Sequence, residues 1–255
     1  MKRKKQPKKI SENLSSVTLF TFTSEFKYLS SMLLHGIKPR YIFEHLPYTR
    51  KNWNYIMACK CFCDIPLGKI KSHLEWFGYY GLGINKNYLQ KKGVSPVLYI
   101  HSKSQHILKH LESNGLDDLT NLPAILPYLK RYYGTDVKPI NKKYTRFKVE
   151  KRKFYDEREW RYVPNDNNLE VYRTSSKKVN ELIQEGLIKV KDKNLSMPYE
   201  GDSFEISPDN IEYIIIEKQS EFEELKKQLH SKYTGDKLEL LISKVLIAER
   251  IVRDF

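Results

Sequence analysis

The sequence predicts an α+β protein, a single domain built on a mixed, mostly antiparallel sheet with flanking helices. Three observations carry that expectation. Across 255 residues, 40% are hydrophobic and 13% aromatic, enough to bury a real core and to exclude a wholly disordered chain. Stretches of strand period and helix period intersperse along the chain, with several strands close enough to neighbour as hairpins. No repeat and no long glycine-rich linker divides it, so residues 17–255 read as one domain behind a basic, flexible arm of residues 1–16.

Residues 17–23 are β-branched and aromatic almost throughout, which suits a buried strand. Ser24 then offers a helix N-cap and Glu25 a first-turn acid; Phe26, Leu29, Met32 and Leu33 repeat at helical spacing, and Gly36 follows as a C-cap. Residues 55–64 read as a second strand, stopped by Pro66, and residues 67–77 as a helix. Short strands are expected at 79–84 and 96–100, and helices at 103–113 and 119–133, the latter broken by Pro123 and Pro127. Thr145, Phe147 and Val149 alternate with Arg146, Lys148 and Glu150, the period of a half-buried strand. Residues 211–217 form a strong strand pattern and 220–230 a strong helix pattern. Residues 236–255 leave two readings open, a helix or a strand followed by a short helix.

The formal charge of +14 is concentrated in two places. Lys2, Arg3, Lys4, Lys5, Lys8 and Lys9 give the first nine residues +6, and eight basic residues against Glu150 give residues 138–153 +7. Both would make salt-sensitive contacts with phosphates or with an acidic partner, and Lys142, Lys143, Arg146 and Lys148 are the candidate contacts. No apolar run approaches the roughly 20 residues of a membrane span. The first apolar segment is too short for a signal-peptide core, and three cysteines make no disulfide framework. The expectation is a cytoplasmic protein with no membrane partner.

Cys59, Cys61 and Cys63 together with His73 raise the question of a metal. Zinc sites usually pair cysteines with a gap of two to four residues between them so that both thiolates turn toward one ion, whereas alternate strand positions point the same way but stand well apart, so core packing is expected and no metal. The segment Phe154-Tyr155-Asp156-Glu157-Arg158-Glu159-Trp160-Arg161-Tyr162-Val163 has two readings. As a helix it pairs Glu157 with Arg161 at i, i+4 on the surface. As a strand it places Glu157, Glu159 and Arg161 on one face, an arrangement able to bind ribose hydroxyls or stabilise a sugar cation. The glycines of residues 78–83 follow no phosphate-binding pattern, which leaves a glycine-kinked strand or an aromatic stacking platform.

Leu19-Phe20-Thr21-Phe22-Thr23, followed by Leu29-Ser30-Ser31-Met32-Leu33-Leu34-His35-Gly36-Ile37-Lys38-Pro39-Arg40-Tyr41, resembles the opening of the AbiGi family of bacterial abortive phage resistance proteins. Cys61-Phe62-Cys63-Asp64-Ile65-Pro66-Leu67, His73, Tyr80-Gly81-Leu82-Gly83-Ile84-Asn85-Lys86 and Pro96-Val97-Leu98-Tyr99 resemble its central block, and residues 155–163 its third. The resemblance covers residues 19–163 and, more weakly, 211–230. It implies a component of an antiphage defence system, the antitoxin half of a two-gene pair or a regulatory binding protein, with a cognate toxin or another defence protein as partner and nucleic acid as a second kind of partner.

The same layout is similar, more distantly, to DarT-like ADP-ribosyltransferases, which implies an ADP-ribosyltransferase-like fold and NAD as cosubstrate. On that resemblance Glu159 would orient a ribose hydroxyl or the acceptor and Glu157 would assist. Thr21, Arg40 and Tyr80 would line the dinucleotide cleft with Arg161 beside them. Thr21 stands where that family's pattern has histidine, and a threonine hydroxyl reaches less far. The two readings differ geometrically. A transferase needs Thr21, a carboxylate and an aromatic around one open cleft, while a binding protein can lock Glu159 and Arg161 together as a buried pair.

Overall fold

β1 (Thr18–Thr23) runs through the interior of a ten-stranded sheet, where its β-branched and aromatic side chains are covered on both faces. The computed structural model describes residues 16–46, 53–113, 125–139, 147–164, 172–173, 197–199, 201 and 203–254. The arm of residues 1–15 and the candidate contacts Lys142, Lys143 and Arg146 lie outside the described residues.

After β1 come α1 (Phe26–His35), β2 (Arg40–Leu46), β3 (Trp53–Cys63), α2 (Lys71–Phe77), β4 (Tyr80–Asn85) and α3 (Lys86–Lys91). Next are β5 (Ser95–Pro96), β6 (Leu98–Ile100), α4 (Gln105–Ser113), β7 (Leu129–Arg131), β8 (Tyr133–Pro139), β9 (Phe147–Lys153) and β10 (Glu159–Tyr162). The chain ends with β11 (Tyr172–Arg173), β12 (Met197–Pro198), β13 (Ile211–Ile216), α5 (Phe222–His230), α6 (Gly235–Ser243), β14 (Val245–Ile247) and α7 (Ala248–Asp254).

The sheet runs β12-β2-β3-β1-β4-β13-β14, and β10 and β11 also pair with β3. Pairing within it is antiparallel except between β13 and β14. β3 is the hub. Its first half pairs with β2 and β11, and its second half with β10 and, at Cys63, with β1. β6 and β7 form a separate parallel pair, and β8 and β9 a separate antiparallel ribbon.

Alternation along the strands sends side chains into two cores. Leu19, Leu82, Ile84 and Ile214 pack under α1, α5 and α6 against Leu29, Leu33, Leu225 and Leu241. On the opposite face Phe20, Cys63 and Ile215 pack with Ile70, Leu74, Ala248 and Ile251 near α2 and α7. A third cluster on that side joins Met57 and Cys59 to Ile100, Leu108, Leu126 and Leu129. Sheet and helices together make the expected α+β domain.

Several local expectations need correction. Residue 25, not Ser24, takes the N-cap position of α1, and no side chain caps it. The proposed helix over 119–133 is not formed in its described part. Leu126–Tyr128 is a single 3-10 turn containing Pro127, and Leu129 leaves it to pair with Leu98. Residues 67–77 divide into a 3-10 turn, Leu67–Lys69, and α2. Of the two readings of residues 236–255 neither holds alone, because a helix, a strand and a second helix follow one another there. β2 is the strand the sequence pattern did not single out. Two glycines carry the tight joins: Gly36 at φ 81° and Gly78 at φ 117°, where an added Cβ would stand 2.5 Å from the Phe204 carbonyl oxygen and 2.2 Å from that of Thr23. Among the described residues no helix is long and apolar enough to cross a membrane.

Candidate functional site

β10 carries the chemistry the sequence pointed to, and its register explains the geometry. Glu159 pairs with Cys63, and Arg161 with Cys61, so both side chains lie on the cysteine face of β3. Glu157 reaches the same place by a different path. Residues Phe154–Glu157 form a 3-10 turn, and Arg158 at φ 46° reverses into the strand, a left-handed conformation that costs a non-glycine residue about 1–2 kcal/mol. The helical i, i+4 reading of this segment does not hold, and the convergence expected of the strand reading does.

The result is a chain of alternating charges. Arg161 is fully buried, at 0% exposure. Its Nε donates to Glu159 at 2.7 Å, its Nη1 donates to the Pro127 carbonyl at 2.6 Å, and its Nη2 donates to Glu44 on β2. Lys130 on β7 pairs with Glu157 at 2.6 Å and also with Glu159. Arg152 on β9 closes the row, 3.0 Å from Glu157 and stacked 3.8 Å over the Trp76 ring. Glu44, Glu157 and Glu159 thus meet Lys130, Arg152 and Arg161, and the formal charges cancel. The Tyr99 hydroxyl accepts the Glu159 backbone N–H at 2.8 Å.

Burial alone would push the Glu159 carboxyl up, but Arg161 and Lys130 outweigh it and hold that carboxyl well below the usual carboxylate range. Burial pushes Glu157 up, and Lys130 and Arg152 offset this only in part. Burial opposes the Lys130 charge, yet Glu157 and Glu159 hold its ammonium well above its ordinary range. Glu159 is therefore a fixed anion between two cations, and Lys130 a fixed cation between two anions.

The other expected cleft residues lie elsewhere. Phe20 pairs with Cys63 and shares the cysteine face, so its neighbour Thr21 points to the opposite face of the sheet, where it is buried. Tyr80 pairs with Thr23 and shares that opposite face. Its hydroxyl donates to Glu221 at 2.6 Å, with Glu217 at 3.3 Å. Arg40 is exposed at the start of β2, its guanidinium 4.4 Å over the Tyr28 ring. The structure brings Glu157, Glu159 and Arg161 together and sets Thr21, Tyr80 and Arg40 apart from them. Lys148 lies on β9.

Sequence reasoning missed Glu44, Lys130 and Arg152. Glu44 directly follows the apolar run Tyr41-Ile42-Phe43, and its contact with the buried Arg161 arises from strand pairing that local pattern does not reveal. Also missed was a smaller cluster. Lys86 pairs with buried Asp64 at 2.6 Å and lies 4.7 Å over the Trp160 ring, and the Ser16 N–H donates to the same carboxylate. Cys59 and Cys61 have their sulfurs 3.6 Å apart, closer than alternate strand positions were expected to stand, and their hydrogen bond together with burial pushes the Cys61 thiol well up. Among the described residues no group of three or more histidine, cysteine or acidic side chains is placed to hold a metal ion.

A mixed sheet flanked by helices, with a neutral row of buried ion pairs at its centre, defines a compact α+β protein whose most prominent polar site is internally satisfied. The family model described as "Putative abortive phage resistance protein AbiGi, antitoxin" matches residues 37–217, and the chain belongs to the AbiGi family. It is 27% identical over 255 residues to the abortive phage resistance protein AbiGi of Lactococcus lactis subsp. cremoris, an alignment covering 85% of this chain and 98% of that protein. No solved structure matches it significantly.

Proposed function

We propose that this protein acts in the bacterial cytoplasm as an antitoxin-like or regulatory binding component of an abortive-infection antiphage system, with a partner toxin as its target. One observation carries the choice of binding over catalysis. Each carboxylate a transferase would use is paired with cations of its own chain, and Thr21 and Tyr80 lie across the sheet from them. A carboxylate that stabilises an oxocarbenium-like centre has to face the substrate with its charge uncommitted. Glu159 instead faces Arg161 and Lys130. Family membership supports the same reading.

The test is to co-express a tagged form of this chain with the partner toxin and to follow both co-elution and growth. Co-elution with restored growth is the expected result. Growth arrest with no complex overturns the reading. NAD turnover by the purified protein, abolished by Glu159→Gln in a folded variant, overturns it in favour of an ADP-ribosyltransferase.

A further inference from the structure

The β8–β9 ribbon pairs with no other strand of the described residues, and one of its faces combines two chemistries. Tyr133 pairs with Lys153 and Thr135 with Lys151, so these four side chains share a face, and all four are exposed. The base of the ribbon continues into an aromatic stack. The Tyr132 and Tyr155 rings lie 5.3 Å apart at 29°, Tyr99 meets Tyr155 edge-on at 5.3 Å, and His101 meets Tyr132 at 5.6 Å. The Lys153 ammonium stands 5.7 Å from the Tyr132 ring and 5.5 Å from the Tyr155 ring. Tyr155 is 47% and Tyr133 48% exposed, a large apolar surface to leave in water.

We propose that this face is a binding surface for single-stranded nucleic acid, with Tyr155 and Tyr132 as the base-stacking platform and Lys151 and Lys153 as phosphate contacts. Tyr155, the more exposed ring of this stacked pair, can extend the stack by one base, and every base offers a π-face. Lys153 is held at 3.1 Å by Asp156, but both partners are exposed, and such a pair exchanges readily for a phosphate. The strand carrying these lysines belongs to the basic stretch 138–153, and although Arg152 is taken up by Glu157, the exposed Lys151 and Lys153 complement a polyanion. A duplex hides its base faces and gives the tyrosines no partner, so the combination selects single strands. This surface adjoins the buried charge row through Tyr99, but none of its proposed contacts belongs to that row, and it stands whether or not a toxin is the partner.

The test is fluorescence anisotropy of the full-length protein with a labelled 20-nucleotide single-stranded oligonucleotide of mixed sequence, titrated at several salt concentrations, with the matching duplex as competitor. Tyr155→Ala is expected to weaken binding roughly 5- to 100-fold, Tyr155→Phe to leave it unchanged, and Lys151→Glu to lower the magnitude of the salt slope by about 0.7. No binding by the wild type, equal binding by Tyr155→Ala, or equal competition by the duplex overturns the proposal. If melting shows Tyr155→Ala to be unfolded, Lys151→Glu at an exposed position decides, and an unchanged salt slope overturns it.

Discussion

Arg161 shows what a single side chain can impose on a sheet. An arginine at 0% exposure is tolerated only because each of its nitrogens has an acceptor, two of them carboxylates. Truncating it strips Glu44 of its partner and leaves Glu159 to Lys130 alone. Arg161→Ala is accordingly expected to cost about 3–5 kcal/mol in urea denaturation, and Arg161→Lys to recover only part of this because a compact ammonium cannot span the three separate acceptors that the guanidinium fork reaches with different nitrogens. Glu159→Gln should also lower the melting temperature, since it leaves Arg161 and Lys130 in excess; a variant as stable as the wild type would count against a structural role. His73 supplies a pH signature. It lies between the Phe22 and Phe77 rings, and burial, aided by Arg152, lowers its pKa from the ordinary 6.5 to about 4. The neutral ring is the form the fold favours. The contribution of this ring to stability is therefore full above about pH 6.5 and is lost, to the extent of on the order of 3 kcal/mol, as pH drops toward 4. Glu157, raised by burial, works in the opposite sense as the pH falls, so the comparison that isolates the ring is His73→Phe, which should flatten the decline between pH 6.5 and 4.5 in thermal melts.

At the scale of elements, what was legible followed from period and what was missed followed from pairing. β1, α1, β13 and α5 were readable because their apolar spacing is strong and local. β2 was not, because one of its alternating sets mixes Arg40 and Glu44 with Ile42 and Leu46, and its acid Glu44 is explained by Arg161 from a strand 117 residues later. Lys130 was hidden for a related reason. Proline-broken helical spacing masked a short strand whose identity comes from its parallel partner β6. The three-residue convergence of Glu157, Glu159 and Arg161 could be read from alternation, but not the three partners that neutralise it. Joins between elements are equally demanding. Gly78→Ala would force a Cβ to within 2.2 Å of the Thr23 carbonyl oxygen at a positive φ, so a loss of about 2 kcal/mol or more in chemical denaturation is expected, well beyond a surface substitution.

Over the whole molecule, the charge of +14 has separated into parts with different fates. Arg152, from the second basic stretch, is spent inside the fold on Glu157 and Trp76, while Lys151 and Lys153 from the same strand remain exposed. Among the described residues the buried charge row serves the fold itself, and the proposed partners would meet the exposed surface. The measurement that tests this most directly is growth after induction, in cells expressing this chain alone, the partner toxin alone, or both. The account predicts arrest by the toxin alone, relief when both are present, and undisturbed growth and NAD levels when this chain is expressed by itself. Arrest with NAD depletion by this chain alone, abolished by Glu159→Gln, would contradict it.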